Sequence, residues 1–336
     1  MGEFDLIARF FQRPAHPAGP QVALGVGDDC ALLQPAPGTQ LAISCDMLVE
    51  GRHFLPDVDP AALGHKALAV NLSDLAACGA RPLAFTLALA LPRADEVWLA
   101  GFARGLFALA DAHGCELIGG DTTQGPLNIC ITVFGEVPVA AGRSQALLRS
   151  GAQPDDDLYV SGMPGQARLA LEALQGTRSL PADVLPALRA RLEMPTPRVA
   201  LGLALRGVAN AAIDVSDGLL GDLGHILQAS ACGATVDTSI AINSIADGAD
   251  STRPAVQFVM QLPVEQRLAL VLAGGDDYEL LFTAPVAARA AVQAAALASA
   301  TPVTRIGRIE ATPGLRLIDA QGQPVSGRFA SFDHFA

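Results

Sequence analysis

Ala211-Ala212-Ile213-Asp214-Val215-Ser216-Asp217-Gly218 is an apolar run that stops at Ser-Asp-Gly, and helical spacing follows from Leu219 to Ser230. A run ending this way reads as a buried strand delivering carboxylates to its C-terminal edge, the edge where open α/β sheets bind ligands. Related arrangements recur as Gly27-Asp28-Asp29, Ser44-Cys45-Asp46, Asn71-Leu72-Ser73-Asp74, Gly119-Gly120-Asp121 and Gly274-Gly275-Asp276-Asp277. Each taken alone is a turn signal, because Gly, Ser and Asp favour turns. As a set they imply converging carboxylates, which repel one another unless cations lie between them. Oxygen-only donors of this kind suit Mg²⁺, commonly shared between a few carboxylates and the phosphates of a substrate. The expectation is metal-assisted phosphate chemistry on an α/β scaffold.

Composition narrows the field. A chain of 336 residues, 51% hydrophobic and 17% charged, has room for two domains with sizeable cores. A net charge of -12 argues against nucleic acid or an anionic membrane as partner, since both need basic patches. Lys66 is the only lysine against twenty-one arginines. That removes the lysine-bearing phosphate loop and the protein-kinase lysine, and leaves Lys66, set in an ordinary helical pattern, as the only possible Schiff-base amine. Six scattered cysteines (Cys30, Cys45, Cys78, Cys115, Cys130 and Cys232) contain no C-x-x-C pair and read as reduced core thiols. The acidic start, Met1-Gly2-Glu3-Phe4-Asp5, lacks a signal-peptide pattern, and no apolar run reaches the roughly 18–20 residues of a membrane span. The expectation is a cytoplasmic protein with no membrane partner.

Along the chain, helical spacing is expected at Glu3–Phe11, Ala61–Gly79 and Asp95–His113, with strands at Val22–Val26, Cys30–Gln34, Gln40–Ser44, Leu83–Leu91 and Asn128–Val137. A polar stretch with Pro154 and three consecutive acids places a domain boundary near 150, giving domains 1–150 and 151–336. The second half reads as strands at Leu158–Ser161, Ala211–Val215 and Tyr278–Thr283. Its helices are expected from about Gly165 and at Arg198–Leu205, Leu219–Ser230, Glu265–Ala273 and Ala287–Ala300, and Pro181 to Pro197 reads as a surface excursion. Asn71-x-Ser73-Asp74 and Asp214-x-Ser216-Asp217 resemble each other and hint at two related lobes.

The set Gly-Val-Gly-Asp-Asp-Cys-Ala-Leu-Leu (25–33), Ala-Val-Asn-Leu-Ser-Asp-Leu-Ala-Ala-Cys-Gly-Ala (69–80), Leu-Ile-Gly-Gly-Asp-Thr-Thr (117–123), Ile-Asp-Val-Ser-Asp-Gly-Leu (213–219), Gly-Gly-Asp-Asp-Tyr-Glu-Leu (274–280) and Phe-Asp-His-Phe (332–335) resembles the thiamine-monophosphate kinase family. That family belongs to the aminoimidazole-ribonucleotide-synthetase-like superfamily, and the likeness runs over essentially the whole chain. It implies a mixed α/β, two-domain fold, with N-terminal sheets joined across the axis of a homodimer and the active site in a cleft between domains. The N-terminal domain would bind ATP and Mg²⁺ and dimerise; the C-terminal domain would complete the cleft. The implied reaction moves the γ-phosphoryl of ATP directly onto the phosphate of thiamine monophosphate, giving thiamine diphosphate and ADP. No covalent intermediate or general base is expected, since phosphoryl transfer depends on positioning and charge neutralisation.

Carried over by motif, the metal ligands would be Asp29, Ser44, Cys45, Asp46, Asp74, Asp121, Asp214 and Asp217. Gly120, Asp121, Arg149 and Ser216 would hold the nucleotide, and His53, Asp276 and Phe332 the thiamine phosphate. Phe332 could stack on the acceptor's cationic rings. Two positions depart from the family pattern. Cys45 stands where Thr is common, leaving its backbone carbonyl as the donor, and Asp276 stands where Glu is common, one methylene shorter. Selenophosphate synthetase would need a Cys in residues 1–27, and the hydrogenase-maturation relative a C-terminal Cys; this chain has neither. Aminoimidazole ribonucleotide synthetase and a non-catalytic nucleotide- or thiamine-phosphate-binding protein remain as alternatives. Retention of all the carboxylates favours an enzyme.

Overall fold

The structure is a computed structural model and describes residues 2–13, 19–246, 252–327 and 329. The chain forms two compact units, one of Met1–Leu75 with Ala80–Gln145 and the other of Ala76–Gly79 with Ala146–Ala336.

The first unit contains α1 (Glu3–Phe10), β1 (Val22–Leu24), β2 (Leu32–Leu33), β3 (Thr39–Val49), most of α2 (Pro60–Ala77), β4 (Arg81–Leu91), α3 (Glu96–His113), β5 (Glu116–Gln124), β6 (Asn128–Ala140) and β7 (Arg143–Ser144). Its main sheet runs β3-β6-β4-β5, with β7 on β6; β3 and β6 are antiparallel, and β4 pairs parallel to β5. Period-two alternation gives this sheet a buried face. Phe85, Leu87, Leu89 and Leu91 of β4 and Ile129, Ile131 and Val133 of β6 are buried, together with Leu63, Leu68, Leu72 and Leu75 of α2 and Leu99, Phe102 and Leu106 of α3. On β3 the alternation leaves Leu41, Ile43, Cys45 and Met47 exposed.

Glycine lets α2 and α3 approach closely. A Cβ on Gly64 would overlap the Phe102 carbonyl, and one on Gly105 would overlap the Ala61 carbonyl. The boundaries of α3 are written in its caps. The Asp95 carboxylate accepts from the N–H groups of Val97 and Trp98, and Gly114 closes the helix in the left-handed region.

The second unit contains β8 (Asp157–Ser161), α4 (Gln166–Leu174), α5 (Leu185–Glu193), α6 (Val199–Ala204), β9 (Ala211–Val215), α7 (Leu219–Ser230), β10 (Gly233–Asp237), α8 (Thr238–Ala241), α9 (Pro254–Gln261), α10 (Val264–Ala273), β11 (Glu279–Ala284), α11 (Arg289–Ala298), β12 (Val303–Glu310) and β13 (Gly314–Ile318). Its sheet runs β13-β10-β12-β8-β11-β9 and is mostly antiparallel, with β10 and β13 parallel. Strands β8, β9 and β11 are buried along their whole length, and α4, α5, α7 and α10 contribute to one core with them. Full burial explains the short apolar runs Leu158-Tyr159-Val160, Ala211-Ala212-Ile213 and Leu280-Leu281-Phe282 inside these strands.

Several expectations are corrected. The strand expected at Gln40–Ser44 continues to Val49, so Ser44-Cys45-Asp46 lies inside β3 rather than at its end. Asn71-x-Ser73-Asp74 lies within α2, whereas Asp214 ends a strand and Ser216 and Asp217 follow it, so the likeness of the two motifs is not a structural repeat. The stretch from Pro181 to Pro197 is no mere surface excursion: α5 crosses it and buries Leu188 and Leu192. Of the six cysteines, all free, Cys115 and Cys232 are buried but Cys30 and Cys45 are exposed, because strand alternation and loop position override local apolarity.

The helix crossing predicts opposite outcomes at two glycines. Gly105→Val should lower stability by about 3 kcal/mol, because the added atoms meet backbone that cannot move aside. Gly224→Ala, on α7 with open space beyond it, should raise stability by about 0.5–1 kcal/mol. Urea denaturation of the two variants beside the parent measures both.

Candidate functional site

In the first unit, α2 and β3 are tied together where the predicted ligands sit. Asn71, 1% exposed, accepts the Asp46 N–H on Oδ1 at 3.0 Å and donates from Nδ2 to the Ala67 carbonyl at 3.0 Å. One turn further along α2, Asp74 accepts a hydrogen bond from the Ser44 hydroxyl. The i, i+3 spacing of Asn71 and Asp74 on the helix thus meets the i, i+2 spacing of Ser44 and Asp46 on the strand. Cys45 alternates to the opposite face, where its Sγ lies 3.4 Å from that of Cys130.

Asp29 and Asp121 belong to a second group. Along with Asp28, Gly119 and Gly120 they line a cavity of about 750 Å³ whose apolar wall includes Phe4, Ile7 and Phe11. Asp28 and Asp29 are exposed, and the Asp28 carboxylate accepts the Asp29 N–H at 2.8 Å. Gly120 takes φ +147°, and any Cβ there would overlap the Leu87 backbone, so only glycine fits where β5 comes this close to β4 beside the cavity. Strand register separates the two groups. Asp46 pairs with Ile131, Ile131 with Leu87, and Leu87 with Gly120. Three strand spacings of about 4.8 Å put Asp46 and Gly120 roughly 14 Å apart at opposite edges of the sheet.

His53 follows β3 in a turn. Its Nδ1 accepts the Val49 N–H at 3.0 Å, so in the neutral ring Nε2 carries the proton. The same turn is closed by the His53 N–H on the Val49 carbonyl at 3.0 Å and the Gly51 N–H on the Phe54 carbonyl at 2.8 Å.

In the second unit, Asp214 is 6% exposed near the end of β9, and Ser216 and Asp217 continue into a loop. One oxygen of Asp222, on the first turn of α7, accepts the N–H groups of Ser216, Asp217 and Gly218 at 3.1, 3.2 and 3.2 Å. Burial, followed by the neighbouring Asp217 charge, pushes the Asp222 carboxyl up to about 6. The Gly274–Asp277 loop packs on this one: the Asp276 N–H donates to the Ser216 carbonyl at 2.8 Å and the Tyr278 N–H to the Val215 carbonyl at 2.9 Å. Asp276 takes φ +66°, in the left-handed region that few non-glycine residues adopt and Asp adopts more readily than most. Asp276 is therefore brought beside Ser216 and Asp217.

Its neighbours in the same motif have structural work. Asp277, 6% exposed, accepts the N–H groups of Gly165 and Ala167 at the start of α4, and burial raises its carboxyl well above the usual range. Glu279 is fully buried. It takes hydrogen bonds from Arg198 at 2.6 and 2.5 Å, Arg191 at 3.0 Å and the Ser161 hydroxyl at 2.7 Å. Burial alone would raise the Glu279 carboxyl, but the charge and hydrogen bonds of Arg198, with Arg191 and Ser161, hold it below the usual range. Arg149 is exposed, and its carbonyl accepts from the Ser230 hydroxyl at 3.0 Å. Phe332 lies outside the described residues.

The donor set fits a hard cation, since Asp29, Ser44, Asp46, Asp74, Asp121, Asp214 and Asp217 offer only oxygen. Among the described residues no three His, Cys, Asp or Glu side chains stand together as a metal cage. Small groups of carboxylates suit a cation completed by substrate phosphates better than one enclosed by protein. Asn71, Lys66, Asp222, Arg191 and Arg198 were not singled out as site residues from sequence. The position of Asp222, five residues after Asp217 in the first helical turn, was the one readable signal among them.

Two domain models match the chain: AIR synthase related protein, N-terminal domain, over residues 27–137, and AIR synthase related protein, C-terminal domain, over 155–320. The thiamine-monophosphate kinase of Salmonella typhimurium is 47% identical over 337 residues, covering 100% of this chain and 98% of that protein. The crystal structure of thiamine-monophosphate kinase from Stenotrophomonas maltophilia K279a superposes with a TM-score of 0.80 at 43% identity, covering 96% of each chain. A second structure, AaThiL complexed with AMPPCP and TMP, superposes with a TM-score of 0.73 at 28% identity, over 90% of this chain and 89% of that one. The fold is that of the AIR synthase related class. Within that class, the chain belongs to the thiamine-monophosphate kinase family.

The buried Glu279 predicts an acid-sensitive fold. A carboxyl lowered in the native state adds stability above its unfolded value of 4.5, and that stability is lost as pH falls through the lower native value. Glu279→Gln should flatten this acid limb and cost about 3–5 kcal/mol near neutrality by leaving Arg198 buried without its counter-ion. Urea titrations between pH 3 and pH 8, read against the parent, test both statements.

Proposed function

We propose that the protein is a thiamine-monophosphate kinase, transferring the γ-phosphoryl of ATP to thiamine monophosphate and releasing thiamine diphosphate and ADP. The observation that carries this is alignment to a curated kinase of that name over the full chain at 47% identity. The AaThiL complex with AMPPCP and TMP supports the pairing of a nucleotide with a phosphorylated acceptor. Retention of the carboxylate motifs weighs against a non-catalytic binding protein, and the full-length likeness weighs against an aminoimidazole ribonucleotide synthetase.

In this reading residues 1–150 bind ATP and Mg²⁺ and form the dimer, and 151–336 complete the site. Asp29, Ser44, Asp46, Asp74, Asp121, Asp214 and Asp217, with the backbone of Cys45, hold Mg²⁺; when bound, the cations neutralise phosphate charge and align the reacting oxygens. The chain's own residues do the positioning. Asn71 fixes the strand at Asp46, and Asp222 fixes the loop bearing Ser216 and Asp217. Gly120 and Asp121 line the cavity that would take the nucleotide phosphates, and the Arg149 guanidinium supplies a bidentate clamp. His53 presents Nε2–H to the acceptor, with Asp276 and Phe332 completing that end. No side chain is required to exchange a proton with the transferred group.

A homodimer belongs to this reading. Strand β3 is an eleven-residue edge strand carrying exposed Leu41, Ile43 and Met47, and such an edge needs cover. The cytoplasm suits six free thiols, and among the described residues no helix is long and apolar enough to cross a membrane.

Incubation with ATP, Mg²⁺ and thiamine monophosphate should yield thiamine diphosphate, with free thiamine as the inert control acceptor. Absence of that product would overturn the assignment. Asp46→Asn and Asp121→Asn should each lower kcat by about 10²-fold or more at limiting Mg²⁺ while the protein stays folded, the scale expected for loss of transition-state charge stabilisation. Near-normal turnover in both variants would remove them from the metal site. Light scattering should give twice the chain mass for the parent, and Ile43→Arg should shift the population toward monomer.

A further inference from the structure

Lys66 is the only lysine in the chain, and it is 2% exposed. The other twenty-one basic side chains are arginines, so an ammonium survives only at this buried position. A buried amine is costly unless its charge is met by hydrogen-bond acceptors. One acceptor here is informative: Lys66 Nζ donates to the His53 carbonyl at 3.3 Å.

That carbonyl belongs to a turn with little freedom left. Val49 holds it from one side through three bonds, accepting the N–H groups of Arg52 and His53 on its carbonyl and donating its own N–H to His53 Nδ1. Gly51, at φ +76°, and the buried Phe54 close the turn. The ring is thus fixed at Nδ1 and the peptide at its carbonyl, the latter from α2, a different element. Residues of α2 one and two turns further on, Asn71 and Asp74, meet β3 at Asp46 and Ser44. One helix therefore braces both the His53 turn and the candidate ligands on the strand preceding it.

We propose that Lys66 is a positioning residue for the phosphate acceptor, acting through His53. It sets the depth and direction of the imidazole, so its loss loosens acceptor recognition and leaves the nucleotide end unchanged. A compact ammonium on a long apolar stem suits the task, because such a stem can be buried while the ammonium at its tip keeps donors for acceptors such as the His53 carbonyl. This inference rests on the reading of His53 as an acceptor contact.

The test uses the full-length protein and steady-state kinetics with each substrate varied in turn. Lys66→Met should raise KM for thiamine monophosphate about tenfold and leave KM for ATP within about twofold, the scale expected for one charged hydrogen bond. Lys66→Arg, which keeps a cationic donor, should recover part of that loss. Equal rises in both KM values, or a lower kcat with both unchanged, would overturn the proposal. His53→Ala separates the two layers of inference. If it leaves the acceptor KM unchanged, the reading of His53 fails; if it raises that constant and Lys66→Met does not, the role of Lys66 fails. A second measurement covers a Met variant that does not fold. Selectively isotope-labelled lysine gives a single side-chain signal in the parent. That signal should shift on adding thiamine monophosphate and stay in place on adding AMPPCP, and the reverse pattern or no shift with either would overturn the proposal.

Discussion

A carboxylate removed from water has to be met by donors, or it takes up a proton or moves back to solvent. This chain carries 34 acidic residues and buries several of them, so the rule sorts its acids into two kinds. Glu279 is met by two guanidinium groups and a hydroxyl, Asp157 by Arg289 and Arg305, and Glu136 by Arg81 and the Ala36 N–H. Asp277 and Asp222 are met by backbone N–H groups at the starts of α4 and α7. These side chains hold loops and strands in place. Asp28, Asp29, Asp121, Asp217 and Asp276 stay less buried, and in the proposed function most of this second kind meet cations or substrate.

The two kinds are mechanically coupled. Asp222 carries the loop that presents Asp217, and Asp277 fixes the loop that presents Asp276 in a left-handed conformation. In the first unit a neutral amide does the corresponding work: Asn71 bonds the Asp46 backbone N–H and so fixes the strand that carries this acid. Rigid support behind each charge is what phosphoryl transfer requires, because its catalysis comes from holding charged groups at fixed separations.

Identity with known kinases concerns the chain as a whole, whereas the local geometry shows a division of labour inside each motif. Gly274-Gly275-Asp276-Asp277-Tyr278-Glu279 looks like a single acidic signal. Its three carboxylates nevertheless belong to a loop packed against Ser216, a helix start and a buried ion-pair cluster. Ser44-Cys45-Asp46 divides by strand alternation, with Ser44 and Asp46 toward α2 and Cys45 toward Cys130.

Local patterns determined much by themselves. The apolar periodicity of α2, α3, α7 and α10 and the apolar runs inside β9 and β11 follow from which residues must leave water, and these elements lie close to where the periodicity puts them. The motif set was enough to identify the family, because spacing along the chain survives in one dimension. Tertiary structure alone decided that Ser44-Cys45-Asp46 sits inside a strand, that a Pro-punctuated segment delivers Arg191 and Arg198 to Glu279, and that the only lysine is buried against the His53 turn. Strands β10, β12 and β13 likewise became visible only through their pairing. The reason is physical: a side chain's role depends on which donors, acceptors and faces other elements bring to it, and those partners lie as far as 148 positions away in the chain.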